Sequence, residues 1–228
     1  MGVSHLLEPE IAIQRTGARE RTRRMMLSTA TRMMQAGETP SVTGVAEAAG
    51  VSRATAYRSF PSQAALVEAV VDQGLGPILS WSSDSEDAEL RVVDLLETSA
   101  PRILEFEATF KAALKLTLEQ WAERQAGTSG DEPPFRRGHR VQLLQQAIAP
   151  LKGRLDKAQF GRLAKALSLV YGLEVLIVLK DLWGLKPAEV STVSVWAGRA
   201  LVRAAIAEAE TGKNKSRRAG ARPRDKAN

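Results

Sequence analysis

The sequence predicts an all-α protein: a small N-terminal helix-turn-helix domain followed by a larger helical domain. Three observations carry this reading. Apolar residues recur at helical spacing through most of the chain. No segment sustains the apolar–polar alternation of a half-buried strand. Glycine, proline and serine fall where helices must stop and restart. At 228 residues the chain can build one large domain or two modest ones, each with its own core.

Residues 1–17 read as a flexible arm. Arg19 to Gly37 reads as a helix, with Met25, Met26, Ala30, Met33 and Met34 near helical spacing. Ser41 is placed to cap a short second helix with Val42, Val45, Ala46 and Ala49 on one face. Gly50 ends it, as a left-handed C-terminal turn requires. Ser52 caps a third helix, with Val51 and Ala56 spaced as a hydrophobic staple and Phe60 one turn later. Pro61 stops that helix, and Ser62 caps a fourth that runs to about Gln73.

The polar stretch Ser80–Glu89 reads as a connector. Helices are then expected over 87–98, 101–125, 135–151, 156–183 and 187–210. The division expected is 18–76 for the helix-turn-helix domain, 77–210 for the second domain, and a disordered basic tail over 211–228.

Composition narrows the function. Hydrophobic residues make up 44% and charged residues 25%, ordinary for a globular protein. The absence of cysteine excludes disulfides and thiolate metal sites. The first twenty-one residues lack the apolar core of a secretory signal. The longest apolar run, Leu167–Leu179, is too short to span a bilayer and carries Glu174. A cytoplasmic protein with no membrane partner is expected. His5 and His139 are the only histidines, and the chain has neither a glycine-rich phosphate loop nor clustered metal ligands. The acidic "DSED" near Asp84 sits in the connector. No enzyme activity, metal or cofactor is expected.

Charge is uneven. Arg15 to Phe60 holds eight arginines against Glu20, Glu38 and Glu47. The tail from Thr211 holds seven basic residues against Asp225, a net +6 equal to that of the whole chain. Such patches suit a polyanion, although charge alone fits a solvated face equally well.

The stretch "VAEAAGVSRATAYRSFPSQAAL", Val45–Leu66, decides between these. Two short helices across a tight glycine turn form a helix-turn-helix, in which Ala46 and Ala49 permit close crossing. With Val51, Ala56 and Phe60 inward, Arg53, Ala54, Thr55, Tyr57 and Arg58 remain outside. An exposed helix end carrying Arg, Thr and Tyr is what a DNA major groove accepts. Free amides near Ser52 and Ser62 are suited to phosphate. The alternative is a plain three-helix packing unit with a solvated face, which the basic patch disfavours.

"SVTGVAEAAGVSRATAYRSFPSQAALV" closely resembles the DNA-binding segment of TetR-family transcriptional regulators, over Ala18 to about Val71. Ala49-Gly50-Val51-Ser52, then Tyr57, Phe60 and Leu66 at their spacings, carry the resemblance. It implies that Thr43 and Ser52 meet phosphates. Arg53, Ala54 and Thr55 would sit near base edges, Tyr57 would hold the backbone, and Arg58 a phosphate or a base. Gln63 stands where the family usually has lysine; it can still donate a hydrogen bond to phosphate but adds no charge.

The resemblance also implies a homodimer on an inverted-repeat operator, with a C-terminal domain for effector binding and dimerisation. The last two helices would form the interface, with Leu169, Val170, Leu173, Val195, Ala197 and Leu201 as candidates. A small-molecule effector would release a repressor from DNA. Phe106, Phe110, Trp121, Tyr171 and Trp183 are candidates to line its apolar pocket, or they are simple core. Glu174, a carboxylate in an apolar run, should be ion-paired, at an interface, or in a ligand cavity. The alternative function is a DNA-binding protein without an effector, or one dependent on a protein partner. An open apolar cavity would favour the sensor, and a filled one the alternative.

Overall fold

The computed structural model describes residues 8–220 apart from 129, 131, 132, 136 and 137, with side chains described from 17 to 212. Among the described residues the secondary structure is helical and no strand forms, as the periodicity predicts. The chain folds as two compact units. One contains the N-terminal residues to Gly76 together with Glu105–Arg137; the other contains Pro77–Leu104 and the residues from Gly138 onward.

In the first unit, α1 spans Glu8–Gln35, α2 Val42–Ala48, α3 Arg53–Ser59, α4 Gln63–Leu75 and α6 Glu107–Ala126. Helix α1 starts within the expected arm, because Pro9 and the acids Glu8 and Glu10 suit a first helical turn. Residues 1–7 of that arm lie outside the described residues. Met26, Ala30 and Met34 of α1, Val42, Val45 and Ala46 of α2, Ala56 and Phe60 of α3, and Leu66, Val67 and Val70 of α4 form one core. Met25, beside Met26 on α1, is 44% exposed. Ala112, Ala113 and Leu116 of α6 and Phe135 complete that core. The chain therefore returns to its N-terminal unit after Leu104, and the division at Gly76 alone is corrected.

In the second unit, α5 spans Ala88–Glu105, whose last residue belongs to the first, α7 His139–Ala147, α8 Lys157–Leu167 and α9 Leu173–Val175. A π-helical stretch, Leu176–Leu182, continues α9, and α10 spans Pro187–Gly220. Helix α5 runs through Pro101, where a boundary was expected. Proline costs the helix one hydrogen bond there without ending it. The helix expected over 135–151 is confined to α7 and a short 3₁₀ turn, Ala149–Leu151, that holds Pro150. Residues 211–220 extend α10 into the expected disordered tail. Its Lys, Arg and Ala are poor at forming a core but good helix formers. Residues 221–228 lie outside the described residues.

The expected continuous helix 156–183 is broken over 168–172. Gly172, at φ 102° and ψ −162°, adopts a conformation essentially restricted to glycine. The Arg140 guanidinium covers it: a Cβ there would lie 2.6 Å from Nη2. Arg140 forms an ion pair with Glu174 and donates to the Ser168 carbonyl at 3.4 Å. Glu174 is thus paired, one of the outcomes expected for a carboxylate in an apolar run.

The connector Ser80–Glu89 is not merely polar filler. Trp81 is buried, and its Nε1 donates to Asp94 Oδ2 at 2.8 Å. Buried Arg91 donates to the carbonyls of Ser83 and Ser85, and to those of Gln146 (2.9 Å) and Ala147 (3.1 Å) at the end of α7. One guanidinium thereby satisfies carbonyls that the end of a helix leaves without partners.

Candidate functional site

The helix-turn-helix is built by local chemistry. Ser41 accepts from the Gly44 amide at 3.0 Å and starts α2. Gly50, at φ 65°, turns the chain in the left-handed region. Its amide donates to the Glu47 carbonyl at 3.2 Å, and that of Val51 to the Ala46 carbonyl at 2.9 Å. That pair of bonds is the Schellman ending, with apolar Val51 where the motif wants it. Ser52 then caps α3, accepting from the Thr55 amide (3.4 Å) and donating to Thr55 Oγ1 (2.9 Å). Ser62 caps α4 through the Ala65 amide at 3.1 Å.

The outer face of α3 presents Arg53, Ala54, Tyr57 and Arg58 to solvent, with Thr55 half-buried. The Arg53 guanidinium lies 5.9 Å from the Tyr57 ring centroid. Arg58 donates to the Ala54 carbonyl at 3.2 Å and to Thr55 Oγ1 at 3.0 Å, which folds it along its own helix. The Tyr57 hydroxyl lies 3.5 Å from Thr43 Oγ1 on α2, so two expected backbone-contacting groups stand side by side. Gln63 Nε2 donates to the Pro40 carbonyl at 3.2 Å. All eight expected DNA-contact residues lie on α2, α3, the turn between them, or the start of α4.

Sequence reasoning missed Arg23. It reads as one more charge of the basic patch. Instead its Nη1 donates to the Ser59 carbonyl at 2.8 Å, and its guanidinium sits 4.3 Å over the Phe60 ring. Arg23 thus pins the end of α3 to α1. No local signal marks this role, because its partners lie more than thirty positions away.

The expected effector-pocket residues are dispersed. Phe106, Phe110 and Trp121 belong to the first unit, while Tyr171, Glu174 and Trp183 belong to the second. Phe106 and Phe110 pack over Gly74, and Trp121 is 56% exposed because it lies on the outward side of α6. Trp183, just past the π-helical stretch, is exposed too. The second unit holds a cavity of about 330 Å³, partly open to solvent. Its apolar walls include Leu96, Leu104, Val170, Leu176 and Val190. Tyr171 is the expected ligand residue that lines it; its hydroxyl lies 3.1 Å from Ser99 Oγ, and burial raises its pKa.

Of the interface candidates, Leu169 is 78% exposed, while Val170, Val195, Ala197 and Leu201 are half-buried. Leu173, at 5% exposure, is committed to its own unit because the break at Gly172 turns it inward.

Two capped helices crossing at a glycine turn, the second exposing Arg and Tyr, define a helix-turn-helix module. Residues 27–70 match the family of bacterial regulatory proteins, tetR family. Over those residues the chain is similar to that family, which is one of DNA-binding transcription regulators. Comparison with curated proteins and with solved structures gives no match. Among the described residues no helix is long and apolar enough to cross a membrane.

Proposed function

We propose that the chain is a cytoplasmic, sequence-specific repressor that binds an inverted-repeat operator as a homodimer and is released by a small-molecule effector. The exposed face of α3 carries the DNA reading. Arg53, Ala54 and Thr55 meet base edges, Thr43, Ser52, Tyr57 and Gln63 meet the backbone, and Arg58 meets a phosphate or a base. Exposed Leu169, Leu182, Trp183 and Trp196 favour a second copy on the C-terminal helices, since large apolar side chains in water mark interaction surfaces. The cavity of the second unit favours a sensor over an effector-independent protein.

The salt dependence of binding to a random-sequence duplex tests the phosphate contacts. A log–log slope of several units is expected, because each neutralised phosphate contributes about 0.9. Gln63→Lys is expected to steepen that slope by up to about one phosphate's worth, and Tyr57→Ala to weaken binding at every salt concentration. Equal slopes for wild type and Gln63→Lys would remove Gln63 from the phosphate set. A flat salt response would remove DNA as the partner.

A further inference from the structure

The cavity of the second unit has a one-sided polar chemistry. Its lining includes no lysine, arginine or histidine, and its one charged residue is Glu97. That carboxylate makes no ion pair with any described residue. Two arginines share a groove with Glu97 and are engaged with another carboxylate. Arg203 holds Glu89 with two bonds, at 2.6 and 2.7 Å, and Arg199 lies 3.8 Å from the same carboxylate. Arg140, behind Gly172 of the lining, is paired with Glu174.

A second acceptor belongs to the same residue. Pro101, also in the lining, has no N–H to donate to the Glu97 carbonyl one turn earlier. Two of the three lining hydroxyls are already used: Ser194 donates to the Val190 carbonyl at 2.8 Å, and Tyr171 pairs with Ser99, which leaves Ser191 as the third. Two acceptors on one residue, with no described cation paired to the carboxylate, call for a ligand that brings donors and positive charge. The apolar walls call for a hydrocarbon body. About 330 Å³ lies at the small end of ligand pockets, which run from roughly 300 to 1,000 Å³, so the body is one aromatic ring or a short alkyl chain.

We propose that this cavity binds a compact organic monocation, a protonated amine on an apolar body, with its ammonium at Glu97. The inference rests on the reading of the cavity as the effector site and adds the chemical class of the effector.

Three near-isosteric probes differing in charge test it on the full chain at neutral pH by calorimetric titration: 4-phenylbutylamine, 4-phenylbutan-1-ol and 4-phenylbutyrate. The amine is expected to bind tightest and the carboxylate weakest. Glu97→Gln, at an exposed position, is expected to weaken the amine about three- to fivefold, as for a solvent-accessible ion pair, and to leave the alcohol unchanged. Ala188→Phe, at the exposed rim, is expected to weaken all three. A carboxylate preference, an amine preference that survives Glu97→Gln, or no amine binding overturns the proposal.

Adding the same probes to the protein–duplex complex separates the two readings. If the amine binds through Glu97 but leaves the DNA bound, the ligand class stands and the effector reading fails. If the alcohol or carboxylate releases DNA while the amine does not bind, the effector reading stands and the monocation fails.

Discussion

Phe60→Ala is expected to lower the unfolding free energy by about 3–5 kcal/mol, the usual cost of emptying a buried phenylalanine site. Phe60 is 1% exposed and ends α3, its amide bonded to the Ala56 carbonyl at 2.9 Å. Its ring fills the core against α1, α2 and α4 and carries the Arg23 guanidinium on one face. Removing the ring opens a cavity under α3 and takes away the platform of the arginine that pins Ser59. The loss should therefore appear twice: as a lower urea midpoint, and as weakened DNA binding although no exposed group has changed. Phe60→Leu keeps most of the volume and should recover much of the stability. A loss below about 1 kcal/mol for Phe60→Ala would contradict the packing described here.

Gly172→Ala is expected to destabilise the second unit for two separable reasons. Its backbone, at φ 102° and ψ −162°, costs about 1–3 kcal/mol for any residue with a Cβ. The new methyl would also press on Arg140, 2.6 Å from Nη2 and 3.0 Å from Cζ. That guanidinium cannot simply swing away, because Glu174 and the Ser168 carbonyl hold it. A double-mutant cycle with Arg140→Ala separates the two parts. In the Arg140→Ala background Gly172→Ala should cost less by the steric share and retain the backbone share. Equal melting temperatures for wild type and Gly172→Ala would contradict the left-handed break between α8 and α9.

Which features were legible in the sequence follows from how local their causes are. The three serine caps, the Gly50 turn and the inward set Val42, Val45, Ala46, Ala56 and Phe60 are each specified within about four residues. Spacing suffices to find them, and the exposed face of α3 follows by subtraction. The return of α6 to the first unit is specified by contacts across forty or more residues, and no periodicity announces it. The run Leu167–Leu179 looks like unbroken helix because apolar residues satisfy either geometry. What breaks it is Gly172 under a distant arginine. Arginine is the residue type that sequence reading serves worst here. Arg23 reads as part of the basic patch and nothing local marks Arg91 or Arg140, yet each holds backbone carbonyls of another segment. The cavity was expected from dispersed aromatics, and its informative residue, Glu97, is a carboxylate on an amphipathic helix that spacing would leave in solvent.

Selection of random duplex DNA by the purified full chain, with Tyr57→Ala run in parallel, tests the central claim most directly. An inverted repeat with half-sites about one helical turn apart is expected to be enriched by the wild type and lost in the variant. Binding without enrichment, tracking only salt concentration, would contradict a dimeric sequence-specific regulator.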